Sequence, residues 1–153
     1  MFRSPPVLAT YDSMLQTCVT TDASSYGLGA RLSQVQGEGT RRLVAAASWS
    51  LTDTEQRYAA IEKESLGICW AMEKLSQYVL GIKNVVIKTN YKPLTTLFGD
   101  KFLDRLPPRI QGFKLRRQRF GYDICHLSGK RNIAQMPYLV IPLQNLPYSI
   151  WIE

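Results

Sequence analysis

A mixed α/β fold built on a single sheet is predicted by three features of this sequence. Three short stretches, 17–21, 27–34 and 42–48, read as strands separated by turn residues, the pattern of an antiparallel meander. The region 52–81 then carries apolar or small residues at Tyr58, Ile61, Ser65, Ile68, Met72, Leu75 and Val79, three and four apart. That spacing is one buried stripe of an amphipathic helix. Strand, helix and strand follow, which places all the strands in one mixed sheet with helices packed on it.

Each element has its own local signal. Residues 1–15 read as a loosely structured lead-in, with Pro5-Pro6 blocking helix formation. The first strand ends in Asp22-Ala23-Ser24-Ser25, and QGEGT (36–40) supplies a two-glycine turn between the second and third. Thr52 with Glu55 three residues on is a capping box opening the helix, and Gly81 is its natural stop. A fourth strand covers 85–89, and a short helix follows Pro93 at about 94–98. Pro107-Pro108 opens a basic helix to about Phe120, in which Ile110, Phe113, Arg117 and Phe120 recur three or four apart. Tyr122–Leu127 forms the last strand, before the turn Ser128-Gly129-Lys130. From Asn132 to Ile152 there is no charged residue, and prolines fall at 137, 142 and 147. Proline inside a helix costs roughly 3 kcal/mol, so this segment is neither a transmembrane helix nor a long regular one.

With 153 residues, 45% hydrophobic and 20% charged, the chain suits one globular domain with a real core. The net charge of +7 directs attention to a polyanionic partner. The basic excess is concentrated: between Lys101 and Arg131 there are nine basic residues against two acidic ones, Asp104 and Asp123. Cys18, Cys69 and Cys125 lack CxxC spacing and lie in apolar surroundings, which indicates reduced thiols in an intracellular, non-secreted protein. With His126 as the single histidine, zinc ligation is not expected. No signal-peptide core and no long apolar run is present, so no membrane association is expected.

Three positions invite a chemical reading. Asp22 closes the first strand, Asn90 closes the fourth, and Glu64 borders the buried stripe of the long helix, three residues after Ile61 and four before Ile68. Taken singly, a strand-end Asp is most often a turn former and a helix Glu is usually solvated. Spacing alone would equally admit Glu62 as the inward carboxylate.

The wording of four stretches is more specific. TDASSYGLGARLSQ (21–34), AASWSLTDTEQRYAAIEKESLGICWAMEKLSQYVLG (46–81), KTNYKPLTTL (88–97) and YDICHLSGKRN (122–132) occur in one order. Together they closely resemble the ribonuclease H domain of gypsy-type long-terminal-repeat retrotransposons, over roughly residues 4–135. The lead-in SPPVLATYD resembles the segment joining the reverse transcriptase to that domain, giving a lead-in at 1–15, a ribonuclease H-like domain at 16–135 and a tail at 136–153. No Tyr-x-Asp-Asp motif is present, so these residues encode no polymerase. The resemblance implies a five-stranded mixed sheet, three antiparallel strands then two parallel, with helices on both faces. It also implies hydrolysis of the RNA strand of an RNA/DNA hybrid by four carboxylates holding two Mg²⁺ (or Mn²⁺) ions, the two-metal clamp.

Carried over by position, the resemblance assigns the strand-one aspartate to Asp22 and the helix glutamate to Glu64. The aspartate of the family's T-D-x-K-P-L is replaced by Asn90 in TNYKPL. The fourth, from a terminal Ala-Asp-x-Leu-Ser, falls on Met136 in NIAQMPYL; no acidic residue lies between Asp123 and Glu153. Ligand charge thereby drops from −4 to −2, and a thioether is no ligand for Mg²⁺. Cleavage is expected to be severely impaired or absent. The alternative is an active two-metal hybrid nuclease within a retrotransposon polyprotein, completed by Asn90, water and substrate phosphate. His126 has two readings: an aid to product release, as the resemblance suggests, or a hydrogen-bonded residue at a strand end.

Nucleic-acid binding is separable from cleavage. Lys101, Arg105, Arg109, Lys114, Arg116, Arg117 and Arg119, with Tyr91 and Lys92 beside Asn90, are candidates for phosphate and backbone contacts to a hybrid or to double-stranded RNA. Trp49, Tyr58, Tyr78 and Tyr91 have two roles open to them, stacking or packing. The parent polyprotein would supply reverse transcriptase and integrase regions as partners. A host-retained copy would be a binding or scaffold module. The uncharged tail reads either as a protein-interaction strip or as sequence beyond a lost reading frame.

Overall fold

The computed structural model describes residues 8–37, 39–98 and 103–127. Five strands form one sheet: β1 (Thr17–Ala23), β2 (Gly27–Gln36), β3 (Thr40–Ser50), β4 (Val85–Thr89) and β5 (Asp123–His126). Their spatial order is β3-β2-β1-β4-β5, with β1–β2 and β2–β3 antiparallel and β1–β4 and β4–β5 parallel. This is the expected sheet of three antiparallel and two parallel strands. The expected tail at 136–153, and with it Met136, lies outside the described residues, as does Lys101.

The helical region differs from the single helix expected over 52–81. It divides into α1 (Asp53–Gln56), α2 (Ala60–Lys74) and α3 (Ser76–Val79). The capping box is present, Thr52 Oγ1 accepting from Glu55 N and Glu55 Oε2 from Thr52 N, but it caps only one turn. A second start follows at once. Glu62 Oε2 accepts from Ala59 N at 3.1 Å, and this competing cap restarts the helix with α2. Gly81 adopts φ +79° just beyond α3, the left-handed stop that the sequence indicates. The remaining helices are α4 (Pro93–Leu97) and α5 (Pro108–Arg116), with a 3-10 turn at Leu103–Arg105 between them. The helix α5 is shorter than expected, ending at Arg116 rather than near Phe120.

The stripe residues Ser65, Ile68, Met72, Leu75 and Val79 are all fully buried. Ile68 and Met72 share one core with Val19, Ala30, Leu32, Val85 and Ile87 of the sheet, so α2 lies across its centre. A smaller core, Leu28, Leu51, Leu66, Cys69 and Phe113, joins α5 to the other side of α2. Two ion pairs tie the same helices: Arg109 to Glu62 at 2.9 Å and Arg116 to Glu73 at 2.7 Å. The lead-in is firmer than the sequence suggests. Buried Gln34 accepts from Asp12 N, donates to Asp12 O and to Thr17 Oγ1, and Tyr11 OH donates to Tyr78 O at 2.7 Å. The three cysteines are free thiols, as expected.

One core position carries a charge. Arg117 follows α5 on the line of Ile110 and Phe113 and is 0% exposed. Its guanidinium lies 3.8 Å from the Phe98 ring centre and 4.9 Å from that of Tyr122. Among the described residues none of its three nitrogens makes a hydrogen bond of good geometry, although the Tyr122 phenol is close enough to act on the guanidinium. Burial pushes its pKa down to about 10, so it remains charged at neutral pH. The two rings offset part of the desolvation cost, each cation–π contact contributing about 1–2 kcal/mol. Replacing a buried ion pair by well-packed apolar side chains of similar volume is neutral or stabilising by about 1–4 kcal/mol, and a buried charge without an anion is costlier to keep than a pair. Arg117→Leu is therefore expected to stabilise the domain by about 1–2 kcal/mol in urea denaturation; a loss of stability would show that the aromatic clamp more than compensates the charge.

Candidate active site and nucleic-acid face

The site forms where β1 and β4 end side by side. Parallel pairing sets Thr21 opposite Thr89, so Asp22, still paired with Gly29 in β1, lies beside Asn90, the first residue past β4. Asn90 Nδ2 donates to Asp22 Oδ1 at 3.4 Å, and both residues are exposed. On the neighbouring strand Arg31 pairs with Thr20, and its guanidinium is attracted by the Asp22 charge, which opposes the lowering of its pKa by burial. Arg31 was not anticipated as part of the site. Local sequence carries no signal for it; the register does, because Arg31 lies two residues beyond Gly29, the partner of Asp22, and alternation returns it to the same face.

Two inward carboxylates were open from spacing, and the structure separates them. Glu62 turns outward to cap α2 and pair with Arg109. Glu64 turns inward. Its Oε2 is buried and has no hydrogen-bond partner among the described residues. Burial first, and the Asp22 charge second, push the Glu64 carboxyl up to about 7. Asp22, Glu64 and Asn90 thus lie close together. His126 joins them: its Nε2 lies 3.2 Å from the Asn90 carbonyl oxygen, which can only accept, so Nε2 carries the proton.

Among the described residues, no group of three or more His, Cys, Asp or Glu side chains is placed to hold a metal ion. The described residues at this site do not fit a two-ion centre. Two carboxylates bring −2 against +4, the Asn90 amide turns its nitrogen toward Asp22, and Arg31 already acts on the Asp22 charge. The unpartnered Glu64 oxygen is the one feature that would welcome a cation.

The expected nucleic-acid residues divide. Lys92 and Arg119 are exposed, and Lys114 is half-buried. Arg109 and Arg116 keep about half their side-chain surface, 46% and 51%, while paired to α2. Exposed pairs contribute only about 0–1 kcal/mol, so phosphates can compete for these guanidinium groups. Arg117 is directed into the core and offers nothing to a strand outside it. Tyr58, under Arg109 at 4.1 Å, and Tyr78, against Tyr11, take packing roles, and Tyr91 is half-buried against the main core. Trp49 does not pack in this way and is 46% exposed.

Residues 12–120 match the family described as the RNase H-like domain found in reverse transcriptase. The chain belongs to this family. It is 42% identical over 134 residues to the Pol polyprotein of transposon gypsy from Drosophila melanogaster, covering 86% of this chain and 12% of that protein. To the Pol polyprotein of transposon opus, also from Drosophila melanogaster, it is 34% identical over 126 residues, covering 82% and 12%. The chain thus spans about an eighth of these polyproteins. Among solved structures, the foamy viral protease-reverse transcriptase in complex with RNA/DNA hybrid superposes with TM-score 0.62 at 18% identity, covering 82% of this chain and 17% of that one. RNase H1 of Halobacterium salinarum superposes with TM-score 0.53 at 16% identity, covering 72% and 84%. These likenesses confirm the RNase H fold. No helix among the described residues is long and apolar enough to cross a membrane.

Glu64 gives this family member a pH signature. The folded carboxyl holds its proton to about pH 7, whereas the reference group releases it at 4.5. A raised pKa contributes stability that is complete below the unfolded value and is lost as pH rises through the folded one. The melting temperature should therefore fall between pH 4.5 and about pH 8, with a smaller fall in Glu64→Gln. Equal falls in the two proteins would assign the titration to another group.

Proposed function

We propose that this retroelement RNase H-like domain binds RNA/DNA hybrid, or double-stranded RNA, and cleaves the RNA strand feebly or not at all. The Asn90 amide donating to Asp22 carries this reading. A position that would need an anionic oxygen facing a dication instead presents a neutral nitrogen facing its neighbour's carboxylate. Binding does not depend on that position. Lys92, Arg109, Lys114, Arg116 and Arg119 lie at the surface, where they can reach phosphates and release counterions. The foamy viral relative in complex with hybrid supports the same class of ligand. Reverse transcriptase and integrase regions of a parent polyprotein are the natural partners under this reading, and a compartment inside the cell suits the three reduced thiols.

A second reading, a working hybrid nuclease, is favoured by the buried, unpartnered Glu64 Oε2. One assay separates the two. Second-shell losses around metal sites cost about 10–100-fold, so losing two direct ligands predicts turnover at least about 100-fold below a four-carboxylate homologue in Mg²⁺ or Mn²⁺. Asn90→Asp with Met136→Asp should recover measurable cleavage. Turnover by the parent comparable to that homologue would establish the working nuclease instead.

A further inference from the structure

Two large aromatic side chains stand exposed beside the site, and neither belongs to the basic face. Tyr26 is 74% exposed and Trp49 is 46% exposed. Single exposed aromatics need no explanation. These two share one end of the sheet with Asp22. Ala23 pairs with Leu28 and Leu28 with Trp49, so Trp49 sits one residue beyond the row Asp22–Gly29–Ser48 and, by alternation, on the face opposite Asp22, the α2 side on which Leu28 packs and from which Glu64 comes. At about 4.8 Å per strand and 3.4 Å per residue, its backbone lies about 10 Å from Asp22. Tyr26 belongs to the turn that follows Asp22.

Both are held on firm supports. Ser24 Oγ accepts from Tyr26 N and Gly27 N at 3.3 and 3.0 Å, and Leu51 N donates to Tyr26 O at 2.9 Å. A Cβ on Gly27 would come within 3.1 Å of Trp49 O, so glycine permits the close approach of turn and strand. Trp49 Nε1 donates to Glu55 Oε2 at 3.5 Å, and Glu55 is itself fixed by the Thr52 capping box. Groups ordered before binding lose little entropy when they bind.

Local charge selects what these rings can meet. Carboxylates lie next to both residues, Asp22 four residues before Tyr26 and Glu55 on Trp49 Nε1, with Arg31 and Arg57 the cations on the neighbouring elements, so a neutral group suits these rings better than a phosphate. We propose that Tyr26 and Trp49 form a non-ionic nucleic-acid contact beside the site, taking the neutral sugar and base faces of a bound strand. This rests on the reading that the domain binds nucleic acid. Aromatic contacts of this kind are sequence-tolerant because every nucleotide has an apolar face. The phosphates would remain with the basic side chains.

Salt dependence distinguishes the two kinds of contact. Affinity for a labelled RNA/DNA hybrid is measured between about 50 and 200 mM salt for the parent, Tyr26→Ala, Trp49→Ala, Tyr26→Phe, Trp49→Phe and the double variant Lys114→Ala/Arg119→Ala. Each aromatic-to-Ala change should weaken binding roughly tenfold at every salt concentration without altering the slope. The Phe variants should bind within about twofold of the parent, which separates lost stacking from lost folding. The basic double variant should flatten the slope. Parent-like binding by both Ala variants, with normal salt dependence, would overturn the aromatic contact and leave the wider reading standing. A changed slope in the Ala variants would also overturn it. Absence of hybrid binding by the parent would remove both.

Discussion

The parallel pairing of β1 with β4 is the constraint on which the site depends. It joins segments 68 residues apart and delivers Asp22 and Asn90 to the same end of the sheet. The crossover helix α2 makes that pairing possible, because parallel neighbours need a long connection. The buried stripe that holds α2 on the sheet also aims Glu64 at the strand ends. Core packing and site geometry are therefore one arrangement. A change that loosened Ile68, Met72 or Ile87 would move the carboxylates with it.

At that arrangement the chemistry departs from the architecture. A cluster of carboxylates resists its own assembly and is relieved by cations. Here two neutralising devices come from the chain itself: the Asn90 amide and the nearby Arg31 guanidinium. What remains unrelieved is Glu64, whose carboxyl rises to about 7 in consequence of burial and the Asp22 charge. Arg117 is a second departure, a charge on a line of apolar residues, held by rings rather than by an anion. Neither feature interrupts a strand pairing or a helix stripe, so the fold is spared.

The strands were legible in the sequence because alternation and turn residues agree at each of them. The stripe from Ser65 to Val79 was equally clear, since helical spacing persists through the breaks. The breaks were not: Glu62 capping Ala59 restarts the helix locally without disturbing the apolar period. Spacing could not choose between Glu62 and Glu64, and the choice came from resemblance; in the structure it follows from Arg109, which draws Glu62 outward across 47 residues. Arg117 was read as a surface cation because residue type outweighed its place on the line of Ile110, Phe113 and Phe120. Arg31 went unnoticed because strand register, which aims it at Asp22, is a property of pairing and not of local composition.

Under the proposed reading, this family member keeps the fold and lacks a working two-ion centre. Calorimetric titration of the intact chain with Mn²⁺ and Mg²⁺, alongside Asn90→Asp/Met136→Asp, tests it most directly. The account predicts no saturable two-ion binding by the parent through the millimolar range, no accompanying rise in melting temperature, and a gain of both in the double variant. Saturable binding of two ions by the parent, with thermal stabilisation, would contradict it.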